Sequence, residues 1–483
     1  MEPLSRRAFI RRAALAASSV GVLPILAACT GATPATVTTT EPAAMSSPAA
    51  AVQAVPKLKG EITFAQWSWT GDNFDNGLGQ IIENYKQVQP DVDVKVVDIP
   101  ADSARTWLNT QFAGELTPDI VQISRGWAWS DGPKGFIIRM DPLFELTSPY
   151  TGQKWIDSFD LNWHNSQRNS AGEIHIVSIY RTETGFYYNR DIFDEANLEA
   201  PETWAEFTGL CKTLQDADID PVVVPNKTAQ APIWLLIPLG DNLMRPLVPE
   251  MNTLRPADNY VDQEELVRAL KLGIWQLREP PWTECWTILK DWSQYWVKGF
   301  NGLGPADAQP IFLQGKAAMY FDTTSAFAAI DTNKDRQFRY GVFPVPTLTR
   351  DTSAYASDAP TGNGRVAYSF SIAKTAEKRG NVEAAMDFLM FLSTKESMEI
   401  FSKVQVGIPL VKGVATAEVL KQFEGKEPNQ FNWYTTAEAE DAVHKSGQLY
   451  YVGELSHDEM IERQAQAINE AADLLIEQNG WTF

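Results

Sequence analysis

Residues 185–207, GFYYNRDIFDEANLEAPETWAEF, restrict the possible folds of this chain more than any other stretch. The aromatic residues at its start predict the end of a β-strand, and Asn189 is suited to begin a short helix. Pro201 then introduces a second helix, in which Thr203 and Glu206 have the spacing of a capping box. The apolar face of that helix is predicted to consist of Trp204, Phe207, Cys211 and Leu214.

The order of residues in YYNRDIFDEANLEAPETWAEF resembles the passage "YNKDLF…AGL…PPKTWDEF" of the family 1 extracellular solute-binding proteins, the receptors of ABC importers. Further motifs of that family follow in the same order: FLQGKAAMYFDTTSAF at 312–327, YGVFPVPTL at 340–348 and Gly-Ile-Pro at 407–409. The resemblance implies an α/β, two-lobed fold of the type II periplasmic-binding-protein kind, with an interlobe ligand cleft and multiple crossover segments. It also implies a monomer that needs no cofactor and no metal ion.

Length independently predicts two lobes, because 483 residues exceed what one hydrophobic core usually organises. The resemblance places the first crossing between the lobes at residues 172–188 and the second at residues 365–372. We therefore expect lobe 1 to comprise residues 57–174 and 365–415, and lobe 2 to comprise residues 175–364 and 416–483.

The N-terminus has the features of an export signal. Arg6 and Arg7 resemble a twin-arginine signal, and the apolar run at 13–28 is shorter than the ~20 residues that a membrane-spanning helix needs. Leu-Ala-Ala-Cys at 26–29 resembles a lipobox. We expect residues 1–28 to be a signal peptide, Cys29 to be lipidated, and the Ala/Thr/Pro-rich residues 29–56 to form a disordered tether. The chain would then be extracytoplasmic and anchored to the cell membrane. An uncleaved anchor helix is the alternative.

Two other cysteines, Cys211 and Cys285, could form a disulfide outside the cytoplasm. Twin-arginine substrates, however, fold in a reducing compartment before export. Two buried free thiols are therefore the preferred interpretation.

Residues 60–124 read as strand, helix, strand, helix, strand, the pattern of a parallel α/β unit. Ligands of such sheets bind beyond the carboxyl ends of the strands. Two Trp-rich loops fall there, and indoles beside charged and hydroxyl groups suit the faces and rims of sugar rings. The candidate ligand contacts in these loops are Trp67, Trp69, Asp72, Arg125, Trp127 and Trp129. About half of the four Trp residues are expected to pack beneath the loops instead.

The family's later motifs add candidates from the second lobe. Trp234, Asp322, Thr324 and Trp433 fall where relatives contact their ligands, although core packing is an equal alternative for Trp234. Residues 322–325 are predicted to open a helix. The tryptophans between residues 282 and 296 recur at helical spacing, which is more typical of a buried helix face than of a binding site.

The sequence contains no recognisable catalytic or metal-binding motif. Its four His residues are scattered, and the net charge of −20 argues against a nucleic-acid partner. The chain is therefore interpreted as a receptor without catalytic residues, which closes around a carbohydrate and presents it to an ABC permease. The alternatives are a secreted carbohydrate-active enzyme, or a receptor for a polyamine or an organophosphate.

Overall fold

The computed structural model describes residues 55–69, 71, 74–100, 103–228, 230–255, 260–360, 364–404 and 407–483. The predicted signal peptide, Cys29, the tether up to residue 54 and Asp72 lie outside these ranges. Across the described ranges, no helix is long and apolar enough to cross a membrane.

The strands belong to one mixed sheet, in which β2, β1, β3, β8, β4, β6 and β5 lie side by side and β7 and β9 also pair with β4. They are β1 Gly60–Gln66, β2 Val92–Asp98, β3 Ile120–Gln122, β4 Val177–Asn189, β5 Val222–Val223, β6 Met319–Thr323, β7 Tyr340–Pro344, β8 Gly364–Ile372 and β9 Ile408–Pro409.

The α-helices surround this sheet, together with short 3-10 and π-helical turns. They are α1 Gln80–Val88, α2 Ala104–Ala113, α3 Arg125–Asp131, α4 Asp141–Phe144, α5 Leu161–Asn165, α6 Arg190–Glu195, α7 Trp204–Asp216, α8 Gln230–Met244, α9 Val248–Met251, α10 Gln263–Lys271, α11 Trp282–Ser293, α12 Pro305–Leu313, α13 Phe327–Asp331, α14 Lys374–Arg379, α15 Val382–Leu392, α16 Lys395–Val404, α17 Ala437–Tyr451 and α18 His457–Asn479.

The first three strands form the parallel unit that the sequence predicts. Phe64 of β1 aligns with Val96 of β2 and with Ile120 of β3, both in parallel register. Apolar side chains on these strands pack against α1 and α15 in a core that includes Tyr85 and Phe388. The carboxyl ends of β1 and β3 are therefore adjacent, which brings the two Trp-rich loops together.

Strand β4 connects this core to a second one. Its first half pairs with β8, from Val177 opposite Phe370 to Glu183 opposite Gly364. Its second half pairs with β6 and β7 instead. Strand β4 thus contributes Ile179 to the first core and Phe186 to the second, where α7, α11 and α18 pack. A single long strand passing between two cores produces the two-lobed α/β fold.

Helices α6 and α7 begin where the sequence predicts. The Asn189 side chain accepts hydrogen bonds from the N–H groups of Asp191 and Ile192. Thr203 and Glu206 form the capping box of α7. The predicted buried stripe is also confirmed, since Trp282, Trp286, Trp292 and Trp296 are all buried in the second core.

Both remaining cysteines are buried free thiols, as preferred from the sequence. Burial raises the pKa of the Cys211 thiol to about 12. Burial also raises the pKa of Cys285. Thiols with raised pKa values are poor nucleophiles, so these two act as small apolar core residues.

The capping box yields a first prediction. Thr203 Oγ1 accepts from the N–H of Glu206 at 3.3 Å, and the Glu206 carboxylate accepts from the N–H of Thr203 at 3.1 Å. Thr203→Ala should lower the free energy of unfolding by about 1 kcal/mol, because the first turn of α7 loses a hydrogen-bond acceptor. Thr213→Ala, at an exposed mid-helix position, is the matched control and should change stability by a few tenths of a kcal/mol at most. Equal losses in urea unfolding would contradict the capping role.

Candidate ligand-binding cleft

Two buried glutamines fix the loop that follows β1. Gln66 ends β1, and its Oε1 accepts hydrogen bonds from the backbone N–H groups of Ser68 and Trp69, each at 2.7 Å. Gln122 ends β3; its Oε1 accepts from the N–H of Trp67 at 3.0 Å, and its Nε2 donates to Ser68 Oγ at 2.5 Å. Sequence reasoning missed both glutamines, although a glutamine in the last position of a buried strand is a visible signal.

Trp67 and Trp127 form an aromatic pair above these strand ends. Their ring centroids are 5.7 Å apart, with 50° between the ring planes. Both are half-buried, and both pack against a small apolar cluster beneath the loops. The Arg105 guanidinium lies 5.3 Å from the Trp127 ring centroid and is held by an ion pair with Asp131, with Nη2 3.0 Å from Oδ1. Two of the predicted contacts thus form one partly exposed aromatic surface.

Trp129 and Arg125 form a second aromatic surface on the same helix, α3. The Arg125 guanidinium lies 4.9 Å from the Trp129 ring centroid, and both residues are half-buried. The indole Nε1 of Trp129 donates to the carbonyl of Gln167 at 2.9 Å. Arg125 Nη1 donates to the carbonyl of Ser166 at 3.3 Å. These two hydrogen bonds fix the second aromatic surface and leave part of it exposed.

Two predicted contacts are core residues instead. Trp69 is 1% exposed, and its ring stacks on Phe370 at 5.8 Å with 13° between the planes. The hydrogen bonds of the Gln66 side chain turn the loop so that Trp69 folds beneath it. Trp433 is 0% exposed and packs against Trp282 in the second core, with ring centroids 5.9 Å apart. Neither indole can contact a ligand in this conformation.

The segment after β6 also differs from its prediction. Pairing with β4 extends the strand to Thr323, and a 3-10 turn, Thr324–Ala326, follows before α13. Thr324 is 1% exposed, and its Oγ1 accepts from the N–H of Glu183 at 3.2 Å, so it supports the crossing strand and is not a ligand contact. Asp322 is half-buried; it accepts from the hydroxyl of Tyr320 and, at 2.6 Å, from the N–H of Thr323.

A third aromatic surface comes from the second lobe. Trp234, on α8, is half-buried, and the guanidinium of Arg365 lies 5.2 Å from its ring centroid. Arg365 stands near the start of β8, opposite Thr182 of β4, where the two lobes join. Glu440 of α17 acts on Arg365 as an opposite charge. Sequence reasoning missed Arg365 and Glu440, because nothing in their local sequence links them to the Trp-rich loops.

Tyr434, next to the buried Trp433, belongs to the same region. Its side chain is 38% exposed. Burial and the carboxylates of Glu440 and Glu438 raise the pKa of Tyr434 to about 12, and Arg105 opposes this shift. Tyr434, next to a residue of the second core, is therefore close enough to Arg105 for their charges to interact. Of these two neighbours, Tyr434 faces solvent, whereas the predicted contact Trp433 is buried.

Arg125 and Arg365 are close enough for their charges to interact. Burial, followed by the charge of Arg365, lowers the pKa of Arg125 to about 10. Burial lowers the pKa of Arg365 as well, although its side chain contacts solvent. The half-buried Trp67, Trp127, Trp129 and Trp234 are therefore the candidate walls of an interlobe cleft.

The carboxyl group of Asp322 should make the free energy of unfolding depend on pH. Burial raises its pKa to about 6, so the native state retains this proton more tightly than the unfolded chain does. Its contribution to stability is full below pH 4 and is lost as the pH rises through 6. Asp322→Asn should remove this loss, which amounts to about 2 kcal/mol between pH 4 and pH 7. Urea unfolding at several pH values measures it.

The control for Asp322→Asn is Asp216→Asn, at an exposed carboxylate that pairs with Lys212. This variant should keep the wild-type decrease in stability between pH 4 and pH 7. A parallel pH profile for Asp322→Asn and the wild type would show that Asp322 ionises normally and lies in open solvent.

Comparisons with known proteins agree with this geometry. Residues 71–399 match the family model described as "Bacterial extracellular solute-binding protein". The "Multiple sugar-binding protein" of Streptococcus mutans is 23% identical over 343 residues, which cover 70% of this chain and 73% of that protein.

Solved structures share the fold. The apo form of RafE from Streptococcus pneumoniae superposes with a TM-score of 0.66 at 17% identity, covering 86% of this chain and 99% of that one. A "Chitin oligosaccharide binding protein" gives the same TM-score at 20% identity, with 86% and 99% coverage. The family match spans more than half of the chain, and the two-lobed fold agrees with it. The chain therefore belongs to the bacterial extracellular solute-binding proteins.

Proposed function

We propose that this protein is the extracytoplasmic receptor of an ABC importer and that it binds a carbohydrate in the cleft. One observation carries the proposal: the half-exposed indoles of Trp67 and Trp127 lie 5.7 Å apart at the carboxyl ends of parallel strands. Sugar rings have apolar C–H faces that pack on indoles, and hydroxyl rims that need polar neighbours. The Streptococcus mutans relative is named as a sugar-binding protein, which supports this ligand class.

Binding would work through closure of the lobes. The cleft contributes Trp67 and Trp127 from one side and Trp234 from the other, and β4 and β8 connect the two sides. A ligand that contacts both sides only when the cleft is closed favours the closed population by its differential affinity. The permease would recognise that closed form. We keep the division into residues 57–174 with 365–415 and 175–364 with 416–483 as the proposed moving units.

Attachment to the membrane is part of the same proposal. The lipobox-like sequence ending at Cys29 supports a diacylated N-terminus, and residues 29–56 would let the monomeric receptor stand off the membrane. In cell fractionation, the wild type should pellet with membranes, whereas Cys29→Ser should appear in the soluble extracytoplasmic fraction. Equal membrane retention of both proteins would contradict lipid anchoring at Cys29.

A thermal-shift screen with oligosaccharides tests the proposed function. A ligand at about 100 times its Kd should stabilise the folded protein by about 2.7 kcal/mol. Chromatography of the same mixtures should recover the saccharides intact, since a receptor binds without turnover. Cleavage products would favour the carbohydrate-active enzyme. If only polyamines stabilise the protein, its ligand is a polyamine and not a carbohydrate.

A further inference from the structure

We infer that the solute bound in this cleft carries an anionic group, and that the guanidinium groups of Arg125 and Arg365 receive it. The inference rests on the proposed function, because it specifies the ligand of the same cleft. It implies a sugar that carries a carboxylate or a phosphate ester, and it disfavours a polyamine.

The two arginines approach the cleft from separate elements. Arg125 begins α3, next to the carboxyl end of β3, and Arg365 follows the first residue of β8. Each guanidinium lies over an indole, Arg125 at 4.9 Å from the Trp129 centroid and Arg365 at 5.2 Å from the Trp234 centroid. Strand β3, which precedes Arg125, pairs with β8, which carries Arg365, so both side chains start from the same end of the sheet. Burial, and after it the like charge of Arg365, lowers the pKa of Arg125. Two like charges therefore converge on a space that two aromatic rings border.

Neither arginine forms an ion pair within the part of the chain that the structure describes. Two half-buried arginines in the described ranges do: Arg105 pairs with Asp131, and Arg168 pairs with Asp141. Among the described residues, one of the five N–H donors of Arg125 bonds to the Ser166 carbonyl, and four have no protein acceptor there. Two guanidinium groups whose charges interact repel each other, and an anion bound between them would relieve this repulsion.

Glu440 does not neutralise the two arginines. Its carboxylate attracts Arg365, but the two form no ion pair among the described residues. Glu440 is half-buried, and burial raises its pKa. In the described ranges Glu440 acts on Arg365, and no carboxylate forms an ion pair with Arg125. Glu440 is placed to accept hydrogen bonds from ligand hydroxyls while the arginines receive the acid.

The chemistry of the guanidinium group selects the ligand class. Its planar fork binds a carboxylate or a phosphate with two parallel N–H···O bonds. Trp129 and Trp234 beside the arginines offer flat apolar surfaces for the ring that bears the acid. A uronic acid residue or a sugar phosphate meets both requirements, and both present the same anionic chemistry.

Calorimetric titration of the full-length chain, purified in detergent, with four probes tests this inference: trigalacturonate, its methyl ester, glucose 6-phosphate and raffinose. We expect trigalacturonate or glucose 6-phosphate to bind at least about tenfold more tightly than the two neutral probes. Raising the salt concentration should weaken the binding of the acidic probe more than that of the neutral probes. Arg125→Gln and Arg365→Gln should each remove about tenfold or more of the affinity for the acidic probe and leave neutral probes unaffected. Arg350→Gln, at an exposed arginine that is 72% accessible, is the control.

The outcomes separate this inference from the proposed function. Preference for trigalacturonate or for glucose 6-phosphate supports it and identifies which acid is recognised. Raffinose or the methyl ester binding as tightly as the acids, with both arginine variants unchanged, overturns the inference and leaves the sugar receptor intact. Binding of none of the four probes counts against both. If Arg125→Gln does not fold, Arg125→Lys replaces it. This variant keeps the charge but loses the planar guanidinium fork, so it should still weaken binding of the acidic probe.

Discussion

Trp69→Ala should lower the free energy of unfolding by about 3–5 kcal/mol, the largest stability effect expected from any residue of the Trp-rich loops. Its indole fills the first core, with ring centroids 5.8 Å from Phe370, 5.2 Å from Tyr368 and 5.2 Å from Phe401. Removing it leaves a cavity among rings that cannot move together without disturbing β8 and α16. Urea unfolding, with the slope m compared between proteins, measures the loss.

Trp67→Ala, two residues earlier in the same loop, is the matched control. Trp67 keeps part of its surface in solvent, so its removal should cost about 1–2 kcal/mol. The backbone hydrogen bond from Trp67 to Gln122 survives the substitution. If Trp69→Ala and Trp67→Ala lost equal stability, the division of the loop into a core residue and a cleft residue would be wrong.

Trp127→Ala should have the opposite profile, with a small effect on stability and a large one on binding. We expect its affinity for the carbohydrate found in the thermal-shift screen to fall about 10- to 100-fold, which corresponds to about 1.4–2.8 kcal/mol. The reason is that a stacked platform is lost from the cleft while the Trp127 backbone and the Ser124 cap remain. Calorimetric titration gives the affinity, and a melting curve without ligand gives the stability.

Phe136→Ala controls for the loss of an exposed aromatic residue. Phe136 stacks on Phe112 at the C-terminal end of α2, with ring centroids 4.7 Å apart. This variant should bind like the wild type. Unchanged binding by Trp127→Ala, or a loss of stability as large as that of Trp69→Ala, would place Trp127 in the core and remove it from the site.

Much of the fold was predictable because local signals and the final packing agree. The capping box at Thr203, the Asn189 cap and the helical spacing of Trp282 and Trp292 each specify an element without reference to distant residues. The same applies to the parallel unit, where the strands and helices between residues 60 and 124 alternate in the expected order. Such features depend on neighbours along the chain, and sequence reasoning identifies them.

The side-chain details of the cleft were harder to predict because they depend on contacts between distant segments. Which indole of the first loop turns inward is decided by Gln66 together with Gln122, 56 positions later. The charges of Arg125 and Arg365 interact because β3, which precedes Arg125, pairs with β8. The extension of β6 to Thr323, which replaces the predicted helix start, requires its pairing with β4.

If the two lobes close on a sugar held against the cleft tryptophans, ligand binding makes the protein more compact. Small-angle X-ray scattering tests it, using the oligosaccharide that stabilises the protein most in the thermal-shift screen. The radius of gyration should decrease when that oligosaccharide saturates the wild type, and the same concentration should produce little change in a Trp67→Ala, Trp127→Ala double variant. Saturating binding with an unchanged radius of gyration would contradict the account.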